Sequence, residues 1–227
     1  MGLAAGAAHE LNNPLAVISG RAQMLLARST DADTRQVLET LVAQAHACSG
    51  IVTELMEFAQ PPAPAPEAVD LGEFLDLLKV EWAAEGLLAA SEITLDVPSD
   101  TPAVHFDPGQ LAGVFRELVC NAVEATDPAD RRLTIKAAAD LTEEHVVADV
   151  IDNGRGMTEE VRSRAIDPFF SQRPAGRGRG LGLARVHRWL QQNGGTIRIE
   201  SEPGGGTRIE LRLPAAGRSE PSRCTSG

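Results

Sequence analysis

His9 and Glu10 stand side by side in Ala7-Ala8-His9-Glu10-Leu11-Asn12-Asn13-Pro14-Leu15, and together they offer nucleophile chemistry. An imidazole with an ordinary pKa of about 6.5 is largely unprotonated at neutral pH, so one ring nitrogen is free to attack. Glu10 can orient the ring and take its proton as a phosphoryl group arrives. The same pair also fits a plain solvated helix face. A zinc site of the H-E-x-x-H kind is excluded, because its second His would fall on Asn13.

Four patches in the far half of the chain carry more chemistry. Glu117 and Asn121 are four residues apart and share one helix face. An amide oxygen beside a carboxylate suits a hard cation such as Mg²⁺, although the spacing also fits a solvated face. Asp152-Asn153-Gly154-Arg155-Gly156-Met157 follows an apolar run. Its glycines let backbone approach a flat ligand, and Asp152 can accept a hydrogen bond from an exocyclic amine. A simple strand-to-helix turn uses the same residue types. Asp167-Pro168-Phe169-Phe170-Ser171-Gln172-Arg173-Pro174 places two phenylalanines in a loop, where they are expected to anchor one end of a mobile segment. Gly176-Arg177-Gly178-Arg179-Gly180-Leu181-Gly182-Leu183 runs into a helix. Bare N–H groups at a helix start attract phosphates, and Arg173, Arg177 and Arg179 add charge nearby. This is not a Walker loop, since Gly-Lys-Ser/Thr is absent, and no Rossmann strand immediately precedes it.

Helices and a sheet must position these groups. Leu11, Leu15, Ile18, Ala22 and Leu25 step by three or four and predict a helix with His9 off its apolar stripe. Pro14 should bend that helix just past His9; the alternative is that Pro14 starts it and His9 lies in a preceding loop. After a polar turn at Ser29–Thr34, Val37, Leu38, Leu41, Val42, Ala45, Cys48, Ile51, Val52, Leu55 and Phe58 predict a second, coiled-coil-like helix. His46 lies on it in no special context. Two antiparallel helices bury too little alone, so two copies should pair into a four-helix bundle.

Pro61, Pro62, Pro64 and Pro66 then define an extended linker over residues 61–70, separating the hairpin of residues 1–60 from a domain at 71–213. There the pattern predicts helices at 71–90, 109–126 and 180–193, with strands at 92–97, 103–106, 133–139, 145–151, 196–201 and 207–213. The fold class is α+β: a helical hairpin followed by an α/β sandwich, a mixed sheet with helices on one face. Residues 214–227 are small and polar and read as a disordered tail.

The bulk numbers narrow the classes. A net charge of −11 argues against a nucleic-acid partner. No apolar run approaches the roughly 20 residues of a membrane span, and no basic, apolar signal segment opens the chain. Cys48, Cys120 and Cys224 are odd in number and widely spaced, which fits reduced thiols in a cytoplasmic setting. His9 lies so near the start that the chain is expected to be a piece of a longer protein, with any membrane attachment through an absent upstream region.

In their order, these patches resemble the boxes of the bacterial sensor histidine kinases. His9 to Leu15 is similar to the H box and Glu117 to Asn121 to the N box. Asp152 to Gly156 is similar to the G1 box, Pro168-Phe169-Phe170 to the F box, Gly178 to Leu183 to the G2 box, and Gly204-Gly205-Gly206-Thr207 to the final glycine turn. The resemblance implies a dimeric phosphoacceptor bundle joined to a gyrase-like ATPase domain, with ATP and Mg²⁺ as cofactors. It implies His9 as acceptor, with an aspartate on a response-regulator receiver domain next in line. It makes Asn121 the Mg²⁺ ligand, with Glu117 beside it, and Asp152 the partner of the adenine amine. Gly154, Gly156, Phe169, Phe170, Gly178, Gly180, Leu181, Gly182 and Thr207 then line the nucleotide site, and residues 171–179 form its lid. Asn13 matches a position that helps remove phosphate from the regulator. Two features depart from the family. Glu117 stands where Asn is usual, and in related ATPases a Glu there activates water; Arg179 replaces a small residue. An alternative reading is therefore an ATPase or dimeric scaffold without a phosphohistidine step.

Overall fold

The computed structural model describes residues 3–59, 62–140, 142, 144–171 and 179–217, leaving out the side chains of residues 3–9 and of Glu57. The chain divides into two compact units, Met1–Ala63 and Pro64–Gly227.

The first unit is a hairpin of α1 (Leu3–Arg28) and α2 (Ala32–Ala59). Asp31 caps α2 by accepting the Thr34 N–H at 2.9 Å. Arg35 donates back to the carbonyls of Leu26 and Ser29 at 2.9 and 3.1 Å, closing the end of α1. Pro14 lies inside α1, which begins at Leu3, so His9 is helical and the preceding-loop alternative is excluded.

The apolar stripe divides in a way its spacing does not show. Ala22, Leu38 and Ala45 are buried between the helices, whereas Leu11, Ile18 and Leu25 are at least half exposed, as is Val37. Small residues let the helices approach, and polar pairs bridge them. Ser19 Oγ lies 2.9 Å from His46 Nε2, and Ser49 Oγ donates to Asn12 Oδ1 at 2.8 Å. His46 therefore does have a partner across the hairpin.

In the second unit, β1 (Glu67–Val69) pairs antiparallel with β3 (Val104–Phe106), so the chain enters a small sheet within the expected linker. α3 (Leu71–Ala84) is capped by Asp70, which accepts the Glu73 N–H. Its predicted extension to residue 90 stops at Gly86, whose φ is +71°. Gly86 N–H bonds Ala83 O at 3.2 Å and Leu87 N–H bonds Trp82 O at 2.9 Å, the paired bonds of a Schellman ending.

The main sheet runs β2 (Ile93–Asp96), β4 (Leu133–Ala139), β5 (His145–Asp152), β7 (Thr207–Pro214), β6 (Thr196–Ser201). Only β2 and β4 are parallel, so the sheet is mixed. Alternate residues of β5 and β7 are buried: Val146, Ala148, Val150, Ile209, Leu211 and Leu213. They meet the apolar faces of α4 (Pro108–Ala125) and α6 (Gly182–Gln192), including Leu111, Phe115, Leu118, Val186 and Leu190. Each such side chain contributes about 1.5–3 kcal/mol on leaving water. Arg208 lies on β7 between these inward positions and is paired with Asp149, Glu200 and Glu210, so that side of the sheet stays charged. A short helix not foreseen from the pattern, α5 (Glu159–Arg164), follows β5.

A buried polar cluster joins the far ends of these helices. Asn193 Nδ2 donates to Gln110 Oε1 at 2.7 Å, and Asp107 N–H donates to Asn193 Oδ1 at 3.0 Å. Asp107 also accepts the Gln110 N–H that starts α4 and the Ala65 N–H of the linker, both at 2.8 Å.

Candidate functional site

Asp107 as cap and Pro108 in the first turn fix where α4 begins. Leu111, Val114, Phe115, Leu118 and Ala122 form its buried face. Glu117 and Asn121 therefore lie together on the partly covered flank, one turn apart.

The first turn of α6 sits directly over them. A side chain at Gly182 would place its Cβ 2.7 Å from Glu117 Oε2 and 3.8 Å from Asn121 Nδ2, so glycine lets the Glu117 carboxylate lie against the helix backbone in this position. Arg185, three residues on, pairs with Glu117 Oε1 at 2.6 Å. The N-cap of α6 is Leu181, whose buried side chain offers no oxygen to the helix N–H groups, and the first turn of the helix holds no carboxylate. Those amides and the positive end of the helix dipole are presented to an anion.

A second constellation surrounds the end of β5. Asp152 Oδ1 accepts the Gly154 N–H at 2.8 Å, and Thr207 backbone also bonds this carboxylate. Burial pushes the Asp152 carboxyl above its ordinary range, while the bonds from Gly154 and Thr207 oppose that rise. Gly154 is buried against Ala125 O, 2.8 Å from where its Cβ would stand. Gly156 has φ +66°, and a Cβ there would lie 1.8 Å from Glu202 O. Residues 152–157 are thus pressed against the turn at 202–206. Ser201 Oγ closes the junction: it accepts the Met157 N–H at 2.9 Å and donates to Gly206 O at 2.7 Å. Thr207 is buried beside it, its Oγ1 3.0 Å from Ser201 Oγ.

The phenylalanine segment meets the glycine turn. Phe169 N–H donates to Gly180 O at 2.9 Å, so the two ends of the expected lid are held together. Phe170 is partly buried, with the Arg164 guanidinium 4.2 Å above its ring. Phe169 is 62% exposed at φ +67°, so the anchoring runs through backbone and Phe170 rather than through both rings.

The structure brings Glu117, Asn121, Gly182 and Arg185 into one cluster, and Asp152, Gly154, Gly156 and Thr207 into another. Arg179 is partly buried beside Gly180. Arg173, Arg177 and Gly178 lie outside the described residues, with the whole of 172–178. Glu10 and Asn13 are exposed on α1, in the other unit; the side chain of His9 is outside the description. Sequence reasoning missed Arg185 and Ser201, whose partners lie far away along the chain. Among the described residues no group of three or more His, Cys, Asp or Glu could hold a metal ion. An amide and a carboxylate beside a glycine-rich helix start do fit Mg²⁺, which takes oxygen ligands and keeps several waters. A cation on Glu117 would share that carboxylate with Arg185.

Comparison with known proteins adds five findings. Residues 2–64 match the His Kinase A (phospho-acceptor) domain, and residues 106–217 match the histidine kinase-, DNA gyrase B- and HSP90-like ATPase. Sporulation kinase E of Bacillus subtilis is 33% identical over 97% of this chain and 29% of its own length. Sensor histidine kinase ZraS of Klebsiella oxytoca is 32% identical over 96% of this chain and 46% of its own. The chain thus spans less than half of these curated relatives. Full-length ShkA, solved in complex with AMPPNP, superposes with a TM-score of 0.74 at 25% identity, over 94% of this chain and 46% of that one. Among the described residues no helix is long and apolar enough to cross a membrane.

Proposed function

The chain belongs to the histidine kinases, by its phospho-acceptor and ATPase domains, and on that premise we propose that it phosphorylates itself on His9 from ATP. The His9 imidazole attacks the γ-phosphorus, the bridging P–O bond breaks with its electron pair on ADP, and Glu10 takes the ring proton. The phosphoryl group then passes to an aspartate of a response-regulator receiver domain. Asn13, one turn past His9, supports its later removal from that regulator.

In this reading Asp152 accepts the adenine amine, while Gly154 and Gly156 allow backbone to approach the base. Thr207 buttresses Asp152. The amides of Gly180, Leu181 and Gly182 meet the phosphates, together with Gly178 and the guanidinium groups of Arg173, Arg177 and Arg179. Phe169 and Phe170 hold the base of the lid. Asn121 offers its amide oxygen to Mg²⁺, with Glu117 adjacent; the ion supplies neutralisation of phosphate charge when bound. A second copy covers Leu11, Ile18, Leu25 and Val37 in a four-helix bundle.

One observation carries the reading most: Asn121 and Glu117 lie directly beneath a glycine-opened helix start that has no acidic side chain of its own. The test is incubation with γ-labelled ATP. The wild type should carry acid-labile label, and His9→Gln should carry none. Label that persists in His9→Gln overturns the assignment. The Glu117 carboxylate favours a second reading, an ATPase without a phosphohistidine. Phosphate release with no labelled protein, lost in Glu117→Ala, is its signature.

A further inference from the structure

A carboxylate at the mouth of a phosphate site raises two difficulties. It repels the incoming triphosphate, and it is a base in reach of water. Glu117 occupies that place: Oε2 faces the Gly182 backbone at the start of α6, one turn from Asn121. Arg185 meets Oε1 at 2.6 Å, with the two side chains 18% and 23% exposed. The guanidinium carbon also lies 6.0 Å from the centroid of the Trp189 ring, and Trp189 packs on Gly113 of α4. The pair is therefore built into the α4–α6 contact rather than loose on the surface, where it would count for little.

Resting on the functional reading above, we propose that Arg185 is a positioning residue that neutralises Glu117, admitting the triphosphate and keeping the γ-phosphoryl group from water. Without Arg185, Glu117 acts as a general base. A water oxygen bonds to the γ-phosphorus, the bridging P–O bond breaks with its electron pair on ADP, and the water proton passes to the Glu117 carboxylate. The products are ADP and inorganic phosphate, so the loss diverts ATP from His9 to water.

The test uses the full chain carrying His9→Gln, so that released phosphate reports water alone as acceptor. Adding Arg185→Leu should raise the turnover of phosphate release at saturating ATP about fivefold, a small part of what a positioned base can supply. Adding Glu117→Gln should abolish that rise, and Arg185→Lys should hold release near the parent level. A titration with a non-hydrolysable ATP analogue is read without turnover. Arg185→Leu should weaken binding about tenfold, and Glu117→Gln on top should restore most of it. Arg185→Gln repeats both measurements if the leucine variant folds poorly. Release that stays level or falls in both variants, or binding that Glu117→Gln does not restore, overturns the inference and leaves the pair as a structural tie. Absence of labelled protein in the wild type sinks the kinase reading instead, and does not touch the phosphate-release comparison.

Discussion

Two glycines with nearly the same backbone conformation separate strain from collision. Gly156 has φ +66° and Gly204 has φ +76°. An alanine at either must adopt a left-handed conformation, which costs roughly 1–2 kcal/mol. Part of this, about 0.4–1 kcal/mol, returns because alanine stiffens the unfolded chain. At Gly204 nothing lies within 4 Å of the new methyl, so the net cost stays near 1 kcal/mol. At Gly156 the methyl would stand 1.8 Å from Glu202 O and 3.1 Å from Gly206 O. Both are backbone atoms, so one strand end or the turn must retreat to open the 1.8 Å approach to an ordinary contact distance. Collisions of that kind add a further 1–3 kcal/mol. For a unit of this size 1 kcal/mol moves the melting temperature by about 2–4 °C. Gly204→Ala should therefore lower the melting temperature of the second unit by about 2–4 °C. Gly156→Ala should lower it by roughly twice that or more, and should abolish binding of an ATP analogue, since the displaced segment includes Asp152. Scanning calorimetry with and without the analogue reads both effects. Equal shifts for the two variants, or intact analogue binding in Gly156→Ala, would refute the packing argument.

Asp152→Asn should reduce ATP-analogue affinity by about tenfold or more, the worth of a hydrogen bond to a charged group. Its melting temperature at neutral pH should hold or rise, because a carboxyl whose pKa is raised by burial destabilises the fold as pH climbs through it. The same shift makes wild-type affinity fall on acidification earlier than an ordinary carboxylate would, and a calorimetric titration at stepped pH checks the sign. Asn121→Ala should erase the gain in analogue affinity that Mg²⁺ gives the wild type; an unchanged gain would remove Asn121 as the ligand. Ile18→Glu, at a side chain 50% exposed on α1, should convert dimers to monomers on sedimentation, and a dimer that persists would place the interface elsewhere.

Local patterns were the readable part. The boxes around His9, Asn121, Asp152 and Gly180 are runs of a few residues whose types state their own geometry. The strands alternate because one side of the sheet is apolar and the other charged. The Gly86 stop of α3 is legible, since glycine just past an amphipathic run is a common helix ending. The pairing of Glu67–Val69 with Val104–Phe106 was not legible, since a three-residue strand beside prolines has no periodicity to show. Nor was the ion pair of Arg185 with Glu117, which exists only once two helices have packed. The spacing of the α1 stripe predicts one face, yet Ala22 and Leu25 end in different surroundings, because the small residues close the hairpin and the larger ones stay exposed.

The start of α6 has a thermodynamic corollary. A helix whose N-cap is a leucine, with no acidic residue in its first turn, has no side-chain cap of its own and meets the Glu117 carboxylate, already paired with Arg185. On the proposed function, nucleotide bound there would serve as the final structural component of the second unit as well as the donor. Saturation a hundredfold above Kd would stabilise that unit by about 2.7 kcal/mol. On the proposed function, the second unit is therefore held more firmly where nucleotide is plentiful than where it is scarce.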